Sequence, residues 1–151
     1  MRVVAKNKKA FFNYDIIDTY EAGISLTGSE VKSIREGKMS IKEGYVDIRD
    51  GEVLLINSHI SPYEAANRFN HKPRRDRKLL LHRQEIKRLT GKIRQKGLTL
   101  IPIKVVINDR GLVKVEIALG KGKKAYEKRE AIKERDRERD MRAELKRYQK
   151  E

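Results

Sequence analysis

The chain has 151 residues, 39% of them charged, and 37 Lys and Arg against 22 Asp and Glu give a formal net charge of +15. That length fits one domain with a modest core and a tail outside it, and the charge asks for a polyanion: nucleic acid first, because neutralising phosphates releases counterions, and an acidic membrane surface second. The longest apolar runs, such as Leu79–Leu81 and Leu100–Ile103, fall far short of the roughly 20 residues of a spanning helix; the first residues lack the apolar stretch of a secretory leader, and the absence of cysteine excludes disulfides and thiolate metal sites, so the expected place is the cytoplasm.

From residue 10 to residue 119 the pattern is mainly that of strands. Phe11–Tyr20 and Gly23–Leu26 are the first strand candidates. Thr27 followed by Glu30 has the capping-box spacing for a helix carrying Val31 and Ile34, which Gly37 can stop in the left-handed conformation. Tyr45–Arg49 and Glu52–Asn57 flank Asp50 and Gly51, a pair suited to a type I′ hairpin turn with positive φ. Glu64–Asn67 is a candidate short helix. A longer one runs from about His82 to Lys96, where Ile86, Leu89 and Ile93 make an apolar stripe that Gly97 ends. A second hairpin joins Leu98–Asn108 to Leu112–Leu119, and Pro102, which has no N–H, marks an edge or a bulge. The expected fold is mainly β: a small antiparallel OB-like β-barrel with about three flanking helices and a basic C-terminal tail.

After Leu119 the composition changes. Residues 121–151 hold 13 basic and 8 acidic side chains and few apolar ones. Arg, Lys and Glu favour helix, yet the apolar positions are too sparse to bury a face. The chain therefore reads as a barrel over 1–119 and a tail over 120–151, disordered when free and helical on a partner.

Candidate contacts follow from chemistry. Asn7 and Lys8 suit phosphates, as does the run 73–78 with Arg74, Arg75, Arg77 and Lys78. For Lys32 and Arg35, on the helix face away from Val31 and Ile34, phosphate contact and plain solvation look alike. Tyr63, Phe69 and the ring of His82 can stack unpaired bases, although Phe69 fits the core equally well. Glu21 can accept from a guanine or cytosine amino group, or brace a cation that holds phosphate. Lys123 and Lys124 add charge at the head of the tail. His59, His71 and His82 raise a ribonuclease reading, but no carboxylate cluster, His pair at metal-ligand spacing or phosphate loop accompanies them, and structural or RNA-contacting roles fit better. No metal, cofactor or catalytic residue is expected. A ribosomal assembly or structural protein is the competing reading, and a membrane-surface role is the weakest because the tail has no continuous apolar face.

Four strings then narrow the choice: Glu21–Arg35, Asn57–Tyr63, Arg77–Leu81 and Gly122–Arg129. Their order and spacing resemble the SsrA-binding protein family, small protein B, over nearly the whole chain. The resemblance implies an OB-like barrel that binds the tRNA-like domain of transfer-messenger RNA and takes it to stalled ribosomes for trans-translation and peptide tagging, without bond chemistry of its own. It implies contact with the decoding region of the small subunit, and with alanyl-tRNA synthetase and elongation factor Tu through the RNA. By position, Glu21 and Leu80–His82 match RNA-contacting sites, beside Asn7, Lys8 and Lys78; the family often has asparagine where this chain has His82. Gly122, Glu127, Lys128 and Arg129 match the segment needed for tagging after binding, with Glu127 in place of a frequent aspartate. A tail helix of about 28 residues would span roughly 42 Å, enough to lie along an empty message channel.

Overall fold

The computed structural model describes residues 1–123 and 133–143. In chain order its elements are β1 (Arg2–Lys6), α1 (Ala10–Asn13), β2 (Tyr14–Ile24), α2 (Gly28–Arg35), β3 (Met39–Ser40), β4 (Tyr45–Arg49), β5 (Glu52–Ile56), β6 (His59–Ile60), a 3-10 helix at Glu64–Phe69, β7 (Arg77–Leu80), α3 (Arg83–Lys96), β8 (Thr99–Ile107) and β9 (Val113–Gly122). Residues 133–143 are also helical. Seven strands form one antiparallel sheet in the order β1-β8-β9-β2-β7-β5-β4, and β3 pairs with β6.

The sheet curls until β4 lies close to β8. Gly44 sits where those ends meet: a Cβ there would stand 3.3 Å from the Ile41 carbonyl oxygen and 3.7 Å from the Pro102 ring. Alternation along the strands fills the interior. Val115, Ile117 and Leu119 of β9 point inward to Ala22, Leu55, Leu79 and Val105, and the helices add Ile34 and Leu89, all essentially inaccessible. Each large aliphatic side chain buried this way stabilises the fold by about 1.5–3 kcal/mol.

The turn chemistry behaves as expected. Asp50 and Gly51 have φ of 52° and 77°, as a type I′ turn requires. Thr27 and Glu30 form the reciprocal capping box, and Gly37 and Gly97 take positive φ at the ends of α2 and α3. Pro102 lies at a bulge, where the β8–β9 register shifts between Pro102 and Lys104; it is not at an edge, because β8 pairs with β1 on its other side.

Other expectations need correction. Phe11–Asn13 belongs to α1 rather than to a strand, and β2 then runs without a break through Gly23, joining two separate strand candidates because β9 pairs with nearly its whole length. The basic start of the chain is strand β1. Strand β9 continues past Leu119 to Gly122, and it passes there because Gly120 has no side chain: a Cβ would lie 2.9 Å from Ile101 Cδ1 and 3.3 Å from the Asp15 carbonyl oxygen.

Candidate nucleic-acid interface

The outer faces of β2 and β7, the β4–β5 turn and the start of α3 surround an open cleft of about 1200 Å³. Period-two alternation decides what β7 shows it. Arg77 and Leu79 are buried, so Lys78 and Leu80 face out, with Leu80 51% exposed. Glu21 projects from the outer face of β2, directly across from Glu116 of β9. Glu116 is matched by Lys104 at 3.2 Å. Glu21 has no hydrogen-bond or ion-pair partner among the described residues, so in the free protein it braces no cation and stands as an open acceptor. His82 is the N-cap of α3: its backbone N–H donates to the Glu85 carboxylate at 3.2 Å while the ring stays exposed.

Glu21, Lys78, Leu80 and His82, expected from distant parts of the sequence, thus line one cleft. Lys78 Nζ is 3.3 Å from Glu52 at the rim, an exposed and readily exchanged pair. Arg83, Lys87 and Lys114 line the cleft too. Sequence reasoning missed these three, although outward alternation along β9 and the first two turns of α3 marked their positions. The arrangement offers cations for phosphates, an acceptor for base amino groups, an apolar ledge at Leu80 and an imidazole that can donate or accept.

The run 73–78 does not act as one clamp. Arg77 is fully buried; its Nε donates to Glu30 Oε2, and its Nη1 donates to the Ser58 carbonyl at 3.1 Å and hydroxyl at 3.0 Å. Arg75 Nη2 donates to Glu30 Oε1 at 2.6 Å and to the Ser25 carbonyl at 3.2 Å. Burial alone would raise the Glu30 pKa; hydrogen bonds from Arg75, the Thr27 backbone and Arg77, with the Arg77 charge, outweigh it and lower the value from 4.5 to about 2. Burial pulls the Arg77 pKa down, opposed by its hydrogen bond to Glu30. Arg77 ties α2 to β7 and is closed to phosphate, which corrects that part of the sequence reading, while Arg75 binds the same carboxylate from the loop before β7 with about a third of its side chain exposed. Arg74 stays outside, 2.9 Å from Asn57 Oδ1 and 3.5 Å from Glu43.

The remaining candidates spread over other surfaces. Asn7 is buried, and its Nδ2 donates to the Pro102 carbonyl at 3.0 Å, which fastens the end of β1 to the bulge. Lys8 is exposed beside a smaller groove shared with Phe11, Phe12 and Arg135. Lys32 places Nζ 5.5 Å from the Tyr63 ring centroid, and Arg35 is exposed. Phe69 is 78% exposed, which decides against the core reading. His59 lines a shallow hollow with Lys42 and Arg74. His71 Nε2 donates to the Ile60 carbonyl at 2.9 Å, leaving Nδ1 to accept from the Ser29 hydroxyl at 2.8 Å. The three histidines therefore occupy different places. Lys123 donates from Nζ to the Phe11 carbonyl at 3.1 Å, and Gly122 ends β9. Lys124, Glu127, Lys128 and Arg129 lie outside the described residues. Among the described residues no acidic or histidine cluster could hold a metal, and no helix is long and apolar enough to cross a membrane.

Comparison with known proteins matches a family described as SmpB protein over residues 4–147. An SsrA-binding protein of Moorella thermoacetica is 57% identical over 150 residues, 99% of this chain and 97% of the relative. One from a Nostoc species is 57% identical, covering 97% of this chain and 95% of the relative. A chain from a solved structure described as "tmRNA-SmpB: a journey to the center of the bacterial ribosome" superposes with a TM-score of 0.68 at 47% identity, covering 87% of this chain and 95% of its own.

Proposed function

The chain belongs to the SmpB protein family, and from that premise we propose that it is a non-catalytic RNA-binding protein that holds the tRNA-like domain of transfer-messenger RNA in the β2–β7–α3 cleft and takes it to stalled ribosomes. The observation that carries this reading is the convergence of Glu21, Lys78, Leu80 and His82 on one open cleft. A cleft built only for charge would need no unpartnered carboxylate. Glu21 gives it a means to favour exposed base edges, because a carboxylate accepts from amino groups and repels phosphate.

The wider scheme follows. The protein works in the cytoplasm, reaches alanyl-tRNA synthetase and elongation factor Tu only through the RNA, and contacts the small-subunit decoding region. The tail beyond β9 serves tagging rather than RNA capture, with Gly122 at its junction with the barrel and Glu127, Lys128 and Arg129 at its head, and it completes its helix on the ribosome. A charge-rich segment of this kind gains order from a polyanionic surface that neutralises its excess cations.

The test is a gel-shift titration against transfer-messenger RNA with bulk transfer RNA as competitor, across a salt series. Preference for transfer-messenger RNA that survives physiological salt is the expected result. Equal binding to both RNAs, collapsing together as salt rises, would leave a general basic RNA binder and sink the proposal.

A further inference from the structure

A second surface on the molecule is built like a nucleic-acid contact and shares no residue with the cleft. The loop over 61–72 is held firmly at its base. Asn70 closes it by accepting from the Tyr63 N–H at 3.0 Å and donating to the Tyr63 carbonyl at 2.7 Å. Ser33 Oγ donates to the Ser61 carbonyl at 2.5 Å, and His71 bridges Ser29 and Ile60. On this fixed base the 3-10 helix ends in Phe69, whose ring is 78% exposed with the Arg68 guanidinium 5.2 Å from its centroid.

An exposed phenyl ring that joins no core contact is an unfavourable feature unless something covers it. Its setting identifies the cover. Lys32, Arg35 and Arg68 have no acidic partner among the described residues, and Lys32 lies over the neighbouring Tyr63 ring. Two rings with cations above them match the stacking platforms of single-strand binders, where aromatic faces take bases and cations take phosphates. An apolar protein partner would gain from Phe69 but would bury these unmatched charges at a cost.

We propose that Phe69, with Arg68 and the Lys32–Tyr63 pair, forms a second RNA contact that stacks an unpaired base, separate from the cleft. The proposal rests on the reading of the chain as an RNA-binding protein, but not on where transfer-messenger RNA sits.

The chain contains no tryptophan, so Phe69→Trp installs a single reporter whose emission a stacked base quenches. The full-length variant is titrated with single-stranded oligoadenylate, with the same oligomer in duplex, and with polyglutamate. Saturable quenching by the single strand alone is expected. Phe69→Ala should weaken oligoadenylate binding on the order of tenfold, while Phe69→Tyr retains it. Because the ring is exposed, circular dichroism and melting should be unchanged in all three variants. Unaltered emission in a protein that still shifts transfer-messenger RNA overturns the second contact and leaves the cleft reading intact. Equal quenching by duplex or by polyglutamate overturns it as well, since the surface would then respond to charge alone. Failure of the Phe69→Trp protein to shift transfer-messenger RNA while its indole emission still responds to the single strand would instead count against the proposed function.

Discussion

Cations leave the stretch Arg74–Lys78 in opposite directions, and the two groups obey different physics. Arg77 closes on Glu30 inside the protein, where its remaining N–H groups are taken by Ser58, Lys72 and Pro73, and Arg75 reaches the same carboxylate from the partly exposed edge. Lys78 and Arg74 stay in water, in pairs with Glu52 and Glu43 at 3.3 and 3.5 Å. A buried ion pair cannot be half removed without stranding a charge, whereas an exposed pair can exchange its partner for a phosphate at little cost. One short basic run therefore supplies both a structural knot and a binding edge.

The contrast between the two groups breaks most directly at Arg77. Arg77→Met leaves Glu30 buried with one guanidinium fewer and should cost about 3–5 kcal/mol in urea unfolding. Adding Glu30→Leu should recover much of that loss, since neither charge is then stranded. A single variant as stable as the parent would show that the knot carries no such coupling. Acid probes the same group. The folded pKa of Glu30, about 2, lies below its ordinary 4.5. Its contribution is therefore complete above about pH 4.5 and is lost as pH falls towards 2, an effect of about 3 kcal/mol. In the Glu30→Leu, Arg77→Met protein the stability-against-pH curve should be flatter across that window.

Truncation separates the body from the tail. Ending the chain after Leu119 removes Gly120–Gly122 from their pairing with Tyr14–Ile16 and deletes the Lys123 N–H bond to the Asn13 carbonyl at 2.9 Å. With the Lys123 Nζ bond to the Phe11 carbonyl also lost, that should cost about 3–4 kcal/mol, at roughly 1 kcal/mol for each hydrogen bond. Ending after Lys123 spares these contacts. RNA binding should persist in the longer truncation, and tagging should disappear in both. Melting temperatures that do not distinguish the two would contradict this boundary. At the cleft, Lys78→Ala should leave melting unchanged, weaken binding to all RNAs several-fold and reduce the slope of log K against log salt by about 1.

Much of the fold was legible because local chemistry dictated it. The Asp50-Gly51 turn, the Thr27–Glu30 box and Gly97 each act over a few residues, and the structure keeps them all. Strands β1, β3 and β6 were not legible: Arg2–Lys6 reads as a basic end, and two-residue strands carry no periodicity. Glu21, Lys78, Leu80 and His82 were singled out one by one, through side-chain chemistry and family resemblance, but their convergence depends on β2 lying beside β7, a pairing that no local pattern announces. The direction of Arg75 and Arg77 was hidden for a related reason. A run of cations looks uniform until strand alternation turns Arg77 inward and the distant Glu30 draws Arg75 to its edge.

The finest test of the contrast is Glu52→Gln. Glu52 occupies Lys78 in the free protein, with both side chains about half exposed. Removing its charge should change stability by less than about 0.5 kcal/mol, because an exposed pair in water contributes little. The same change frees Lys78 for phosphate and removes a repulsive charge from the cleft rim, so RNA binding should tighten about two- to threefold at low salt, and the gain should vanish as salt screens the rim. Weaker binding instead would mean that Glu52 itself contacts the RNA. A fall in stability comparable to that of Arg77→Met would mean that the outer pair belongs with the knot, and the division between buried and exposed cations along this strand would fail.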